Sequence, residues 1–236
     1  MFREKYVAHR GLHNDIYPEN SMGAFENAVH HGYAIELDVR LSKDKKLIVF
    51  HDKDLKRMCG CDLKVRDLTY SRLKAYGLKD SHEHIPLLGE VLKTVNGRVP
   101  LLIELKNCGF ISLERRTCRL LKSYSGQMAV QSFDPFKMLW FRLFARDIPR
   151  GQLISVHKKR IDLEYLARRI CALEPVYSII ADPDFVSADI RMTDVALIKK
   201  VKRRGRQLFV WTIRSIKELN RFESSADKVI FEDILP

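Results

Sequence analysis

Glu36-Leu37-Asp38 puts two carboxylates at i and i+2 of a strand-like run, so both leave one face while Leu37 points the other way. Carboxylates held side by side repel each other. If that face turns inward at a strand end the pair needs a cation, and an all-oxygen site suits Mg2+, Ca2+ or Mn2+ better than Zn2+. Glu104-Leu105-Lys106 repeats the spacing with an acid and a base, which can supply a third metal ligand and a positive charge for a phosphate or other oxyanion. Taken singly, a solvated strand face or a structural Glu–Lys pair accounts for either motif at least as well. His9-Arg10 and His51-Asp52 each follow directly on a strand-like run, so both histidines fall at strand C-terminal ends, where barrel enzymes keep their chemistry. A histidine pair can act as general acid and base near neutral pH. His13, His30, His31, His82, His84 and His157 have no such setting.

Strand-like runs alternate with helix-like ones almost to the end of the chain, which argues for βα units and a parallel sheet. Strands are expected over 5–8, 33–41 with 47–50 as its extension, 100–106, 128–132, 152–155, 177–181, 207–212 and 228–231. Helices are expected over 21–31, 85–95, 113–124, 136–145, 163–173, 194–204 and 216–222, the second with Leu88, Val91, Leu92 and Val95 on one face. That rhythm predicts an α/β chain folded as a (β/α)8 TIM barrel, with a doubly wound open sheet as the alternative. A single domain over 1–236 is expected. Residues 53–85 read as a short loop insertion after the second strand, with a short helix at 70–76.

The 236 residues are 46% apolar and 31% charged, an ordinary globular balance that excludes a disordered chain. No apolar run exceeds four residues, against the roughly 20 of a membrane helix. The N-terminus leads straight into a strand without an apolar leader, so a cytoplasmic location is expected. Five cysteines in a sparse, odd set read as reduced thiols, and Cys59-x-Cys61 lacks the second pair of a zinc site. A net charge of +12 favours anionic partners. The densest basic cluster, residues 199–206, falls where a helix should end and the helix dipole favours cations. With no zinc-finger, RNP or heptad pattern, nucleic acid is not an expected partner.

His9-Arg10-Gly11, Pro18-Glu19-Asn20-Ser21, Glu36-Leu37-Asp38, Val49-Phe50-His51-Asp52, the 85–92 run, Ile103-Glu104-Leu105-Lys106, Gln131-Ser132-Phe133 and Val210-Trp211-Thr212 form an ordered set. In that order they resemble the glycerophosphodiester phosphodiesterases. The resemblance implies a metal-dependent hydrolysis of glycerophosphodiesters to an alcohol and glycerol 3-phosphate. It implies metal ligands at Glu36, Asp38 and Glu104, with one divalent cation (Mg2+, Ca2+ or Mn2+) as cofactor. Catalytic histidines fall on His9 and His51, phosphate contacts on Arg10 and Lys106, and apolar walls for the glycerol side on Phe133 and Trp211. Arg214 stands where similar enzymes carry Asn, and 225–233 departs from their last strand, so alcohol-side specificity is open.

Two other readings differ in class. A phospholipase D-like or phosphoinositide-type enzyme would meet lipid at a membrane surface through its basic surface, and a non-catalytic anion-binding module would need none of the inward acids and histidines. The expected partner is a small-molecule glycerophosphodiester. Oligomeric state is not legible.

Overall fold

A computed structural model describes residues 2–106, 111–155 and 174–236. The helix expected over 163–173, with His157, Cys108 and Cys171, lies outside the described residues. The chain forms two compact units, one of residues 8–127 and the other of residues 3–7 and 128–236. β1 (Tyr6–Ala8) is the strand at which the chain passes from the latter to the former.

In the unit of residues 8–127, α1 (Met22–His30) starts where Ser21 accepts the Ala24 amide at 3.1 Å, and it buries Ala24, Phe25 and Ala28. β2 (Ala34–Leu41) is buried along almost its whole length, the mark of a strand covered on both faces. β3 (Leu47–Val49) runs antiparallel to it, with Val39 opposite Val49. Residues 47–50 are therefore the return arm of a hairpin and not an extension of the second strand. The turn holds without glycine: Lys45 takes φ 61°, and Ser42 Oγ donates to Asp44 at 2.6 Å.

Next come α2 (Lys56–Cys59) and α3 (Tyr70–Leu73). They make 53–85 more than a loop, because Leu55, Met58, Val65, Leu68, Leu73, Leu78 and Ile85 bury with Ile48 and Phe50 in a core of their own. Cys59 and Cys61 pack on that core, where burial first and Cys61 second push the Cys59 thiol up to about 11. Cys59, Cys61 and Cys118 are free thiols. α4 (Leu88–Val95) buries the Leu88, Val91, Leu92 and Val95 face, while Glu90 accepts the Leu87 amide at 2.8 Å. β4 (Leu101–Leu105) lies parallel to β2 with Asp38 abreast of Glu104, and α5 (Ser112–Leu121) follows.

The other unit runs β5 (Met128–Ser132), α6 (Pro135–Phe144), β6 (Arg150–Ile154), α7 (Glu174–Ile180), β7 (Phe185–Asp189), α8 (Val195–Arg203), β8 (Gln207–Ile213), α9 (Ile216–Phe222) and β9 (Lys228–Phe231). Strands β5 to β9 pair in sequence, all parallel. The strand expected over 177–181 is instead the end of α7, and the strand lies beyond it at β7. One-sided burial shows why: Tyr177 is 1% exposed and Ile179 75%. Gly151 lets β6 approach β7, since a Cβ there would stand 2.0 Å from the Phe185 ring, itself stacked on Phe209. Lys200, Lys202 and Arg203 fall in the last turn of α8.

The fold is α/β, of the (β/α)8 TIM-barrel class, with β3 as an added antiparallel strand. Among the described residues no helix is long and apolar enough to cross a membrane.

Candidate active site

Register brings the acids together. β2 and β4 set Asp38 beside Glu104, Glu36 shares the Asp38 face, and all three side chains are buried. Their carboxylate oxygens lie within 4.8 Å of one another. Among the described residues this is the group of acidic, histidine or cysteine side chains able to hold a metal. Buried like charges at that spacing are costly without a cation, and a hard divalent ion preferring oxygen ligands fits them.

Lys106, just past β4, places its Nζ 2.8 Å from Asp38 Oδ1 and 2.5 Å from Glu104 Oε1. Burial works against its charge, but Asp38 and Glu104 outweigh burial and raise its pKa. The acids respond unequally. Burial, then Asp38 and Glu104, push Glu36 well above the ordinary carboxylate range. Burial pushes Asp38 up too, but Lys106, His51 and Arg10 together hold it well below.

A tight turn after β1 delivers the next two groups. Gly11 at φ 81° donates its amide to Ala8 and Glu36 carbonyls, and a Cβ there would meet Ala24 at 2.9 Å. Arg10 is itself left-handed at φ 58°, and its amide donates to Glu36 Oε2 at 3.1 Å. Its Nε lies 3.3 Å from Asp38 Oδ2 without hydrogen-bond alignment, and its Nη1 donates to Glu19 Oε1 at 2.8 Å. His9 Nε2 is 4.0 Å from Glu36 Oε2. Asn20 donates to Asp38 Oδ2 at 2.9 Å.

His51 follows β3. Its carbonyl accepts two Arg40 donors at 2.9 and 2.6 Å, and its Nδ1 is 2.7 Å from Asp52 Oδ1. Arg57 on α2 then ties Asp52 to Glu19. Burial would raise both carboxyls, but His51 and Arg57 hold Asp52 far below its ordinary value, and Arg57 and Arg10 hold Glu19 below its own.

The structure thus gathers His9, Arg10, Glu36, Asp38, Glu104 and Lys106 in one unit, with His51 linked to them through Asp52, Arg57 and Glu19. Phe133 and Trp211 lie in the other unit, where their rings meet edge to face at 5.9 Å. Arg40 and Arg57 went unnoticed in the sequence. Glu19, Asn20 and Asp52 stand inside the quoted motifs but carry no assigned role there.

A family model described as "Glycerophosphoryl diester phosphodiesterase family" matches residues 9–233. A glycerophosphodiester phosphodiesterase of Caldanaerobacter subterraneus is 28% identical over 96% of this chain and 93% of its own. One of Bacillus altitudinis is 46% identical, over 44% of this chain and 45% of its own. The human lysophospholipase D GDPD1 is 33% identical over 52% of this chain and 43% of its own. Among solved structures, a glycerophosphodiester phosphodiesterase of Thermotoga maritima aligns with TM-score 0.76 and 26% identity over 98% of this chain and 95% of that one. An Oleispira antarctica phosphodiesterase in complex with the product sn-glycerol-3-phosphate aligns with TM-score 0.82 and 23% identity over 98% and 94%. The expected signature and the buried acids abreast on neighbouring strands meet in one conclusion: the chain belongs to the glycerophosphoryl diester phosphodiesterase family and is a phosphoric diester hydrolase.

Proposed function

We propose that the chain hydrolyses small glycerophosphodiesters to an alcohol and glycerol 3-phosphate, with His9 and His51 as the acid–base pair and Glu36, Asp38 and Glu104 as ligands of Mg2+, Ca2+ or Mn2+. The observation that carries this reading is the set of three buried carboxylates within 4.8 Å, flanked by Arg10, Lys106 and His9. A bound divalent cation would neutralise charge on a phosphate oxygen as phosphorus becomes five-coordinate. Arg10 and Lys106 hold the other phosphate oxygens, two fixed charges that need no reorganisation at the moment of reaction. One histidine takes the proton of the nucleophile, water or the glycerol 2-hydroxyl, and the other returns a proton to the leaving alkoxide. Phe133 and Trp211 are assigned to the glycerol side on family likeness alone.

Glycerol 3-phosphate release from glycerophosphocholine and glycerophosphoethanolamine tests the reading, with each of the three ions, with EDTA, and in Glu36→Ala. Release that needs an ion and disappears in the variant is expected. Release that survives both EDTA and Glu36→Ala would refute it. A lysophospholipid substrate is the second reading, favoured by the partial likeness to a lysophospholipase D. Cleavage of lysophosphatidylcholine faster than of glycerophosphocholine would select it.

A further inference from the structure

We propose that Arg57 is a positioning residue that holds both His51 and Arg10 in place; this rests on the assignment of His51 to proton transfer. Arg57 spends three guanidinium donors on two carboxylates. Nε donates to Asp52 Oδ2 at 2.7 Å, while Nη1 and Nη2 fork onto Glu19 Oε2 and Oε1 at 2.6 and 2.7 Å. Each carboxylate in turn holds a residue of the site. Asp52 Oδ1 meets His51 Nδ1 at 2.7 Å, and Glu19 Oε1 takes Arg10 Nη1 at 2.8 Å. The guanidinium is flat and rigid, so a single rotamer fixes both carboxylates at once.

That geometry dictates a tautomer. An ionised carboxylate only accepts, so His51 Nδ1 carries the hydrogen and Nε2 remains to exchange a proton with substrate. Without Arg57, Asp52 and Glu19 lose the cation that bridges them, and Asp52 keeps His51 on Oδ1 without the Arg57 hold on Oδ2. The plainer account of Arg57 is a surface ion pair, since its side chain is 46% exposed, and such a pair contributes little to stability. The two accounts differ in what they move. A surface pair leaves turnover untouched, whereas a positioning residue alters turnover and the His51 ring more than folding.

The test uses the full chain with Mn2+ and glycerophosphocholine, comparing the parent with Arg57→Ala, Arg57→Lys and His51→Ala. In Arg57→Ala, kcat is expected to fall about 10- to 100-fold, the usual range for losing an outer partner of a site residue, with a smaller change in KM. Arg57→Lys keeps the charge and loses the fork, so it stays nearer to Arg57→Ala than to the parent; it carries the test alone if Arg57→Ala does not fold. 15N NMR shows the His51 ring losing its Nδ1–H preference in both Arg57 variants. Mn2+ affinity, read by calorimetry, stays. Parent-like kcat and an unchanged His51 ring signal in both Arg57 variants, with His51→Ala inactive, overturn the role of Arg57 alone. Full turnover in His51→Ala removes the His51 assignment itself, and the ring signal still reports whether Arg57 sets the tautomer.

Discussion

Acidification is predicted to weaken divalent-ion binding through one residue, Glu36. Burial is the larger cause of its raised pKa, and Asp38 and Glu104 add to it. A carboxylate neighbour at the 4.8 Å limit of the cluster repels by about 3.5 kcal/mol at an effective dielectric of about 20. Lys106 and Arg10 offset part of this. Glu36 therefore keeps its proton at pH values where Asp38 is already ionised, and an incoming ion must displace that proton. Affinity should fall about tenfold per pH unit below the Glu36 titration and level off above it. The metal-free fold shows the opposite sign. A raised native pKa stabilises fully below the ordinary carboxylate range, and that stability is lost as pH rises through the raised value. Calorimetric Mn2+ titrations in two buffers of different ionisation heat count the protons released, and Glu36→Gln should abolish both the slope and the release. Affinity that stays flat as pH rises above the ordinary carboxylate range, with no proton released, would refute the reasoning.

His9→Ala and His51→Ala should each lower kcat by about 100- to 10,000-fold with Mn2+ affinity retained, as steady-state kinetics and calorimetry would show. Lys106→Met removes one partner of a buried ion pair, a loss of about 3–5 kcal/mol by denaturant titration of the metal-free protein. Mn2+ should restore more stability to that variant than to the parent. Gly151→Ala drives a methyl into the Phe185 ring and should cost about 1–3 kcal/mol, seen as a lower urea midpoint.

What the sequence revealed and what it hid follow from the range of each signal. The α4 face was legible because Leu88, Val91, Leu92 and Val95 recur at helical spacing, and Glu36 and Asp38 because a strand's two-residue period is strict. The run at 177–181 reads as a strand because a short apolar stretch carries too few residues to separate a period of two from one of 3.6. β7 escaped notice because its Ser187 and Asp189 dilute the apolar pattern. The small core of 53–85 draws on residues spaced without any period. Arg57 had no signal at all among 42 lysines and arginines; only folding reveals which of them stands between Asp52 and Glu19.

α2 hangs from the small core by Met58, 2% exposed, and its Arg57 reaches the site. Loosening of this subsidiary core therefore reaches turnover through Arg57. If warming loosens it while the strands still hold, activity should fall ahead of the far-ultraviolet circular dichroism signal, and cooling should restore it.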